Sequence, residues 1–507
     1  MKPRLALLFC GLLIELALSP AAAQLPLPAG GATPPVYQTQ PGTRPPPPRY
    51  NAPAGPAATL RLAYWNEVAL SAVAFDHTPA FPSEPARVPE QFGPARTSRV
   101  LAIVHIAVYD ALNAIVRRYP GYSGNFAAFA DSSPDAAIAQ SAHDTLVALY
   151  PRQARRIDAL LETELARLPA SRAKLNGVDI GHRAAAAILA LRANDGVYYR
   201  EPVVGQDYFV GIQPGLWRPD PVSRERIALG AYWRRVMPFV IAAPQQFRAP
   251  PPPELASARY AAAFDEVRQL GGDGVTTPTV RSMQQTVIGI YWAYDGSAWI
   301  GTVPRLYNQL AVQLALERSG DALALARALA LVNVGMADAA IAVWDSKYAH
   351  DFWRPVTGIR EASPGSSPTG NGDGNPLTRG DPAWTPLGAP ASNLIGPNFT
   401  PPFPSYTSGH AGLGGATFHM LRRLYGDRIA FTFVSDEFNG ITRDNRGRVR
   451  PRLPRSFSSL TQAEQENGQS RIYLGVHWPF DKTEGAAQAH ALADYIFERG
   501  LVRPDAQ

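Results

Sequence analysis

The stretch RVLAIVHIAVYDALNAIV, residues 99–116, places apolar side chains at intervals of three and four residues. This is the spacing of an α-helix with one buried face. The same pattern recurs along the chain, and no comparable run alternates with the two-residue period of a strand. The sequence therefore predicts an all-α fold. The other predicted helices span 134–150, 152–168, 175–193, 224–240, 255–270, 277–298, 303–318, 321–349, 408–424, 458–474 and 479–499.

Two proline-rich breaks divide the chain of 507 residues, which is long enough for a large core built as two bundles. Residues 24–58 are rich in Pro, Gly, Ala and Thr, so we expect a spacer without a packed core. Four prolines at 250–253 separate an N-terminal helical region, 59–250, from a catalytic helical domain, 255–501. The N-terminal helices are candidates to complete a bundle, to contact a second copy in an oligomer, or to cap a substrate channel.

The N-terminus has the features of a secretory signal peptide. Two basic residues precede an apolar stretch, 5–18, and the small residues 21–23 offer a cleavage site. Cys10, the one cysteine of the chain, follows Phe9, where a lipoprotein signal would have a small residue. We therefore predict a signal peptide at 1–23 rather than a lipid anchor or a retained helix. The mature protein would be exported to the periplasm or the medium and have no disulfide.

Charge and hydropathy make two classes of protein poor candidates. The 48 basic and 42 acidic residues give a formal charge of +6, and no Lys/Arg run is interleaved with aromatic residues, so we expect no nucleic-acid partner. The stretch Ala322–Trp344 has about the length of a membrane-spanning helix, and no other segment comes close. Arg327, Asn333 and Asp338 interrupt it. It is therefore predicted to be a buried core helix, with no integral membrane segment after signal cleavage.

The segment KYAHDFWRP, residues 347–355, is the first of three that carry candidate site residues. Lys347 and Arg354 are seven residues apart, a spacing that would place both on one helical stripe with Trp344. Pro355 is expected to end this helix at about Arg354. Both cations would then point into one site.

The second segment is FPSYTSGH, residues 403–410, where a proline-rich loop enters a helix. Ser408, Gly409 and His410 lie at the predicted helix start, where free backbone N–H groups and the helix dipole favour an anion. His410 shares its helix face with Leu413, so we expect it to point inward.

The third segment is SRIYLGVHWPFD, residues 470–481. Arg471 is predicted in the last turn of one helix, and His477 in a tight corner before the next. Asp481, four residues after His477, could fix the imidazole tautomer and leave the other ring nitrogen to bind an electrophile.

Together the three segments supply three cations, a serine hydroxyl and two histidines. Converging cations are costly unless an anion occupies the site. The inventory suits a tetrahedral oxyanion, with one histidine bonded to its centre and another placed at an apical oxygen.

These residues resemble the signature of the type 2 phosphatidic acid phosphatases and vanadium-dependent haloperoxidases. Its three parts, K-x6-R-P, S-G-H and S-R-x3-G-x-H-x3-D, are matched in order by the three segments. The flanking stretches YWAYDGSAWIGTVPRLYNQ at 291–309, TPPFPSYTSGHAGLGGATFHM at 400–420 and VSDEFNGI at 434–441 are most similar to the vanadium chloroperoxidase branch.

This resemblance implies two four-helix bundles with the active site at the end of the C-terminal one. It also implies vanadate as cofactor, with His477 as the metal ligand and His410 as the acid/base. Hydrogen peroxide would oxidise bromide or chloride to hypohalous acid, with Lys347 polarising the peroxide. The resemblance also implies that Lys347, Arg354, Ser408, Gly409 and Arg471 bind the vanadate oxygens. Asp295 would orient Arg471, and Asp481 would lie behind His477. Trp344 and Phe403 would line the halide pocket.

Two other functions remain open from the same residues. In the acid phosphatases of the superfamily the His477 position attacks the phosphorus of a phosphomonoester, and no cofactor is needed. Asp481 suits this role, whereas Trp344 and Phe403 suit a haloperoxidase unless they are simply core packing. A non-catalytic phosphate- or vanadate-binding protein would keep the cations but would not need His410.

Overall fold

The computed structural model describes residues 57–80 and 88–504. The predicted signal peptide and the predicted spacer up to residue 56 lie outside these residues. The described part contains thirteen α-helices and two small sheets, so the predicted all-α fold is confirmed. The described residues belong to one compact unit, and the boundary at 250–255 between two regions stays a prediction.

Five helices form the N-terminal bundle. They are α1 (Ala58–Asp76), α2 (Gly93–Val116), α3 (Pro134–Leu149), α4 (Ala154–Ala166) and α5 (Arg172–Leu191). Helix α2 packs against α3 and α5, and α1 packs against α3. Pro134 opens α3 behind the N-cap Ser133, whose side chain accepts the Ala136 N–H.

Eight helices follow. They are α6 (Ala258–Leu270), α7 (Met283–Tyr291), α8 (Val303–Arg318), α9 (Ala322–His350), α10 (Pro355–Glu361), α11 (Gly409–Tyr425), α12 (Leu460–Tyr473) and α13 (Pro479–Arg499). Four of them form the second bundle, in which α11 packs against α9, α12 and α13. Helix α9 also packs against α2 and so joins the two bundles.

The predicted helix at 224–240 is wrong. Only Trp233–Arg235 forms a short 3-10 turn, and both Arg224 (φ 60°) and Gly230 (φ 77°) take left-handed conformations that break a helix. The backbone N–H groups of 239–241 donate to the buried carboxylate of Asp338 at 2.6–3.0 Å instead of to a preceding turn. Because a carboxylate on α9 satisfies these donors, the apolar segment packs as a loop.

Other element boundaries also differ from the prediction. The helix predicted at 277–298 is shortened to α7, and the helix α1 carries an apolar pattern that the predicted list omits. Two antiparallel pairs were not predicted, β1 (Asp295–Ser297) with β2 (Gly301–Thr302) and β3 (Phe431–Asn439) with β4 (Arg452–Phe457). In β3 buried positions alternate with more exposed ones from Phe431 to Glu437, but two of the buried positions hold the polar residues Ser435 and Glu437. The sequence therefore shows no apolar alternation there.

The helix that carries Lys347 ends earlier than predicted. Helix α9 ends at His350, Asp351 turns left-handed (φ 48°), and Pro355 opens α10 with Arg354 as its N-cap. Proline suits the first turn of a helix, where its missing N–H has no partner to lose. Lys347 and Arg354 therefore do not share a helical stripe, and that prediction is wrong.

Two described helices are long and apolar enough to cross a membrane, α2 and α9. The prediction that only 322–344 approaches this test is therefore wrong. In both helices 94% of the apolar window is buried within the protein, so the buried core helix predicted at 322–344 is confirmed.

Candidate active site

Four of the candidate site residues lie at the ends of four different helices. Lys347 lies in the last turn of α9 and Arg471 in the last turn of α12, while Ser408 caps the start of α11 and Asp481 lies in the first turn of α13. The Ser408 N–H donates to the Asp481 carbonyl oxygen at 2.9 Å, which ties the starts of α11 and α13 together. The structure thus brings the three predicted segments to one end of the second bundle.

The imidazole of His477 is held between a carboxylate and a guanidinium. Its Nδ1 lies 2.8 Å from Asp481 Oδ2, and Arg354 Nη1 lies 3.0 Å from its Nε2. Because the arginine can only donate, Nε2 is the acceptor and Nδ1 carries the proton given to Asp481. Burial and the nearby Arg354 hold the pKa of His477 well below its usual range. The ring is therefore neutral, with its Nε2 lone pair directed toward the cations.

Asp481 is fully buried and held by several donors. The backbone N–H of Trp478 donates to Oδ2 at 3.0 Å, and the Ser405 hydroxyl donates to the same oxygen. Burial raises the pKa of Asp481 to about 6, and these hydrogen bonds oppose the rise. Ser405 was not among the predicted site residues, since nothing in the spacing of FPSYTSGH sets it apart from its neighbours.

Arg354 and Arg471 each present one buried nitrogen without a hydrogen-bond partner among the described residues. Arg354 Nε donates to the Phe403 carbonyl at 2.9 Å and Nη1 to the Val476 carbonyl at 2.7 Å, but Nη2 has no acceptor among the described residues. In Arg471 the nitrogen without such an acceptor is Nε. Buried donors without partners are rare in folded proteins. The two free donors therefore mark a place for an acceptor such as an oxyanion.

Asp295 forms a bidentate ion pair with Arg471. Arg471 Nη1 and Nη2 donate to the two carboxylate oxygens at 3.0 and 2.8 Å, and the side chains are 1% and 7% exposed. Burial raises the pKa of Asp295, and Arg471 opposes the rise. Three cationic side chains thus face two carboxylates, Asp295 and Asp481, which leaves a positive excess for an anion.

The ammonium group of Lys347 is fully buried and donates to three backbone carbonyls. Two of these, Pro404 and Ser405, accept at 2.9 Å, and Thr407 is the third. Burial and the adjacent Arg354 hold the pKa of Lys347 well below its usual range. All three N–H donors are directed to the loop before α11, so Lys347 fixes that loop against α9.

His410 and Ser408 both hold the start of α11 in place. His410 Nε2 lies 3.0 and 2.8 Å from the carbonyl oxygens of Trp292 and Ala293. Nε2 is therefore the donor, and Nδ1 is the nitrogen left to accept a proton. Burial and Arg471 hold the pKa of His410 well below its usual range. The Ser408 side chain accepts the Ala411 N–H as an N-cap.

A cavity joins the two histidines to an apolar wall. Trp344 and Phe403 lie on this wall with ring centroids 5.0 Å apart, and Lys347 Nζ lies 5.0 Å from the Phe403 ring centroid. Both rings line the cavity together with His410 and His477. The remaining lining residues include Asp295, Gly409 and Arg471, and the apolar residues Leu413, Phe399, Pro401 and Pro402.

The N-terminal region completes the cavity wall. Phe92 and Pro94, at the start of α2, and Glu225, Ile227 and Leu229, in the loop predicted as a helix, line the same cavity. The N-terminal region therefore forms part of the cavity wall, and its role as a cap over a substrate channel stays a prediction. Periodicity could not reveal these residues, because they lie in irregular segments that only the tertiary packing brings to the site.

Comparisons with known proteins agree with this architecture. Residues 327–502 match the family model described as the VCPO second helical-bundle domain. The vanadium chloroperoxidase of Curvularia inaequalis is 39% identical over 275 residues, which cover 47% of this chain and 43% of that protein. Residues 327–502 are therefore similar to this helical-bundle domain.

Solved vanadium haloperoxidases have the same fold. A crystal structure of a bacterial vanadium-dependent iodoperoxidase superposes with a TM-score of 0.68 at 22% identity, over 88% of this chain and 97% of that one. A bacterial vanadium-dependent chloroperoxidase in its holo form gives a TM-score of 0.60 at 17% identity, over 82% and 95%. The described chain thus has the fold of these two solved structures, well beyond residues 327–502, while it spans less than half of the length of the curated relative.

Proposed function

We propose that the chain is an exported vanadium-dependent haloperoxidase. It would use hydrogen peroxide to oxidise bromide or chloride, with the balance H2O2 + X− + H+ → HOX + H2O. The observation that carries the proposal is that one cavity is lined by His410, Arg471 and His477 together with Trp344 and Phe403. The family and its curated relative support the same chemistry. Export rests on the signal-like residues 1–23.

The donor set fits vanadate better than a bare metal ion. Among the described residues no group of three or more His, Cys, Asp or Glu side chains could hold a metal. The site instead offers Arg354 Nη2, Arg471 Nε and the His477 Nε2 lone pair, which suit an oxyanion whose central atom binds one histidine. His477 would bind the metal, and Arg354 and Arg471 would bind its oxygens.

The residues of the chain then have separate tasks. Bound vanadate supplies a Lewis-acidic centre that activates hydrogen peroxide toward attack by a halide. Asp481 keeps the proton on His477 Nδ1, so that Nε2 keeps its lone pair. That lone pair accepts from Arg354 Nη1 in this structure and would bind the vanadium instead when vanadate is present. His410 takes or gives a proton at Nδ1 while the carbonyls of Trp292 and Ala293 hold its ring in place. Trp344 and Phe403 exclude water from the side where a halide approaches.

A paired assay on the purified protein, without and with orthovanadate, tests this function. We expect bromination of a phenolic dye only when vanadate, bromide and peroxide are all present, and no hydrolysis of an aryl phosphate by the vanadate-loaded protein. Hydrolysis by the vanadate-free protein that vanadate inhibits, without halogenation in either state, would contradict the proposal.

A secreted acid phosphatase is the second candidate, and one observation favours it. The bond from His477 Nδ1 to Asp481 would orient a nucleophilic Nε2 toward phosphorus equally well. Phosphate and vanadate have the same shape, so the oxyanion site alone does not separate them. The paired assay does.

Replacing Trp344 or Phe403 should separate the two activities of the site. We expect Trp344→Ala and Phe403→Ala to lower halide oxidation by about tenfold or more, because water enters the dry side of the cavity. Any phosphoester hydrolysis should change by less than a factor of about three. Steady-state halogenation rates with bromide and chloride check this, with Trp299→Ala, outside the cavity lining, as the control. Equal loss of both activities would show that the two rings only hold the site together.

A further inference from the structure

Glu225 is a buried carboxylate among the residues that line the cavity. Its side chain is 4% exposed, and it lines the cavity near Ile227 and Leu229. Oε1 accepts the backbone N–H of Ile227 at 2.9 Å, while Oε2 has no hydrogen-bond partner among the described residues. The other carboxylate of the cavity, Asp295, is fully used by Arg471. An unsatisfied buried oxygen is unusual and points to a ligand.

No cation of the described chain neutralises Glu225. Burial raises its pKa, and only the backbone N–H groups of Ile227 and Arg226 oppose the rise. Arg471, the arginine that lines the same cavity, is paired with Asp295 instead. Oε2 of Glu225 thus has no partner among the described residues and can accept from a donor that enters the cavity.

The loop that carries Glu225 is fixed against the aromatic wall. The Leu229 N–H donates to Pro402 O at 3.0 Å, and its carbonyl accepts from Trp344 Nε1 at 3.0 Å. The carboxylate of Asp220 accepts the N–H groups of Val222 and Thr400 at 3.0 and 2.9 Å, which joins the two cavity loops again. Oε2 of Glu225 is thus held at a set position relative to the rings of the wall.

We propose that Glu225 and the apolar wall bind an aromatic acceptor that carries an O–H or N–H donor, such as a phenol. The inference rests on the proposed function, because the cavity must produce the halogenating agent. The ring would then be halogenated within the cavity, Ar–H + HOX → Ar–X + H2O. The ring carbon forms the bond to halogen as the O–X bond breaks, and the departing ring proton joins the hydroxide to give water. Glu225 positions the acceptor through its donor and takes no part in the bond changes.

A competition between phenol and anisole tests the subsite, since anisole lacks only the O–H donor. With vanadate, bromide and peroxide, the ratio of brominated phenol to brominated anisole is compared with the ratio that reagent hypobromite gives at the same pH. We expect the wild-type ratio to exceed the reagent ratio by about tenfold or more, because phenol gives a hydrogen bond to a buried oxygen that anisole leaves without a partner. Glu225→Leu should return the ratio to that of the reagent, and Glu225→Gln should give an intermediate value. The exposed Glu254→Gln is the control and should match the wild type.

A wild-type ratio equal to that of the reagent would overturn the proposal, since the oxidant would then react outside the cavity. An unchanged ratio in Glu225→Leu would overturn it as well. Calorimetric titration of the vanadate-free protein with phenol and with anisole gives a second readout that needs no turnover. Tighter binding of phenol in the wild type, lost in Glu225→Leu, supports the subsite even if no bromination occurs, in which case the proposed function alone fails. Equal binding of both compounds overturns the subsite.

Discussion

His477→Ala should abolish turnover, with a loss of at least about 10³-fold, whichever oxyanion the site uses. The substitution removes the Nε2 lone pair that would bind the central atom, and no other described side chain offers an equivalent nitrogen between Arg354 and Asp481. Vanadate affinity measured by equilibrium dialysis should fall together with the halogenation rate. The two losses occur together because the same atom serves binding and chemistry.

The control for this variant is His182→Ala. His182 lies on α5 with a side chain that is 55% exposed and does not line the cavity. Its replacement should leave both vanadate affinity and turnover within a factor of about two. A His477→Ala protein that binds vanadate as tightly as the wild type would remove His477 from the set of ligands.

The helical periodicity predicted most of the fold because the long helices bury one continuous apolar face. Helices α2, α9 and α13 lie close to the predicted bounds for this reason. Helical periodicity gave a wrong prediction at 224–240, where the backbone N–H groups at the end of an apolar run donate to Asp338 rather than to helical carbonyls. The spacing of apolar residues within this segment cannot show that a carboxylate about 100 residues away in the sequence will accept those hydrogen bonds.

The site could be predicted in composition but not in full geometry. The motifs supplied Arg354 and His477, which are in contact in the structure, but Arg354 reaches His477 from the N-cap of α10 and not from a helix stripe shared with Lys347. The spacing of the motif residues did not indicate that the Lys347 ammonium donates to carbonyls of the loop before α11. It also did not indicate that Glu225 lines the cavity that contains His410 and His477. Those features depend on loops, whose paths are set by tertiary contacts rather than by a repeat in the sequence.

Asp295→Ala should destabilise the protein by about 3–5 kcal/mol, because it leaves the buried guanidinium of Arg471 without its partner. Chemical denaturation checks the value. Asp179→Ala breaks an exposed pair with Arg183 on α5 and should cost less than about 1 kcal/mol, which makes it the matched control. The difference between the two variants separates a buried ion pair from a surface one.

The Asp295→Ala variant also tests whether the cation cluster binds oxyanions. Removing one of the two carboxylates raises the positive excess at Lys347, Arg354 and Arg471, so inorganic phosphate should stabilise the variant more than the wild type. The midpoint of thermal unfolding, followed against phosphate concentration, measures this gain, and Asp179→Ala should respond as the wild type does. A variant that phosphate does not stabilise further would show that the three cations are balanced within the chain. The free nitrogens of Arg354 and Arg471 would then not be an oxyanion site, and both candidate functions would lose the feature they share.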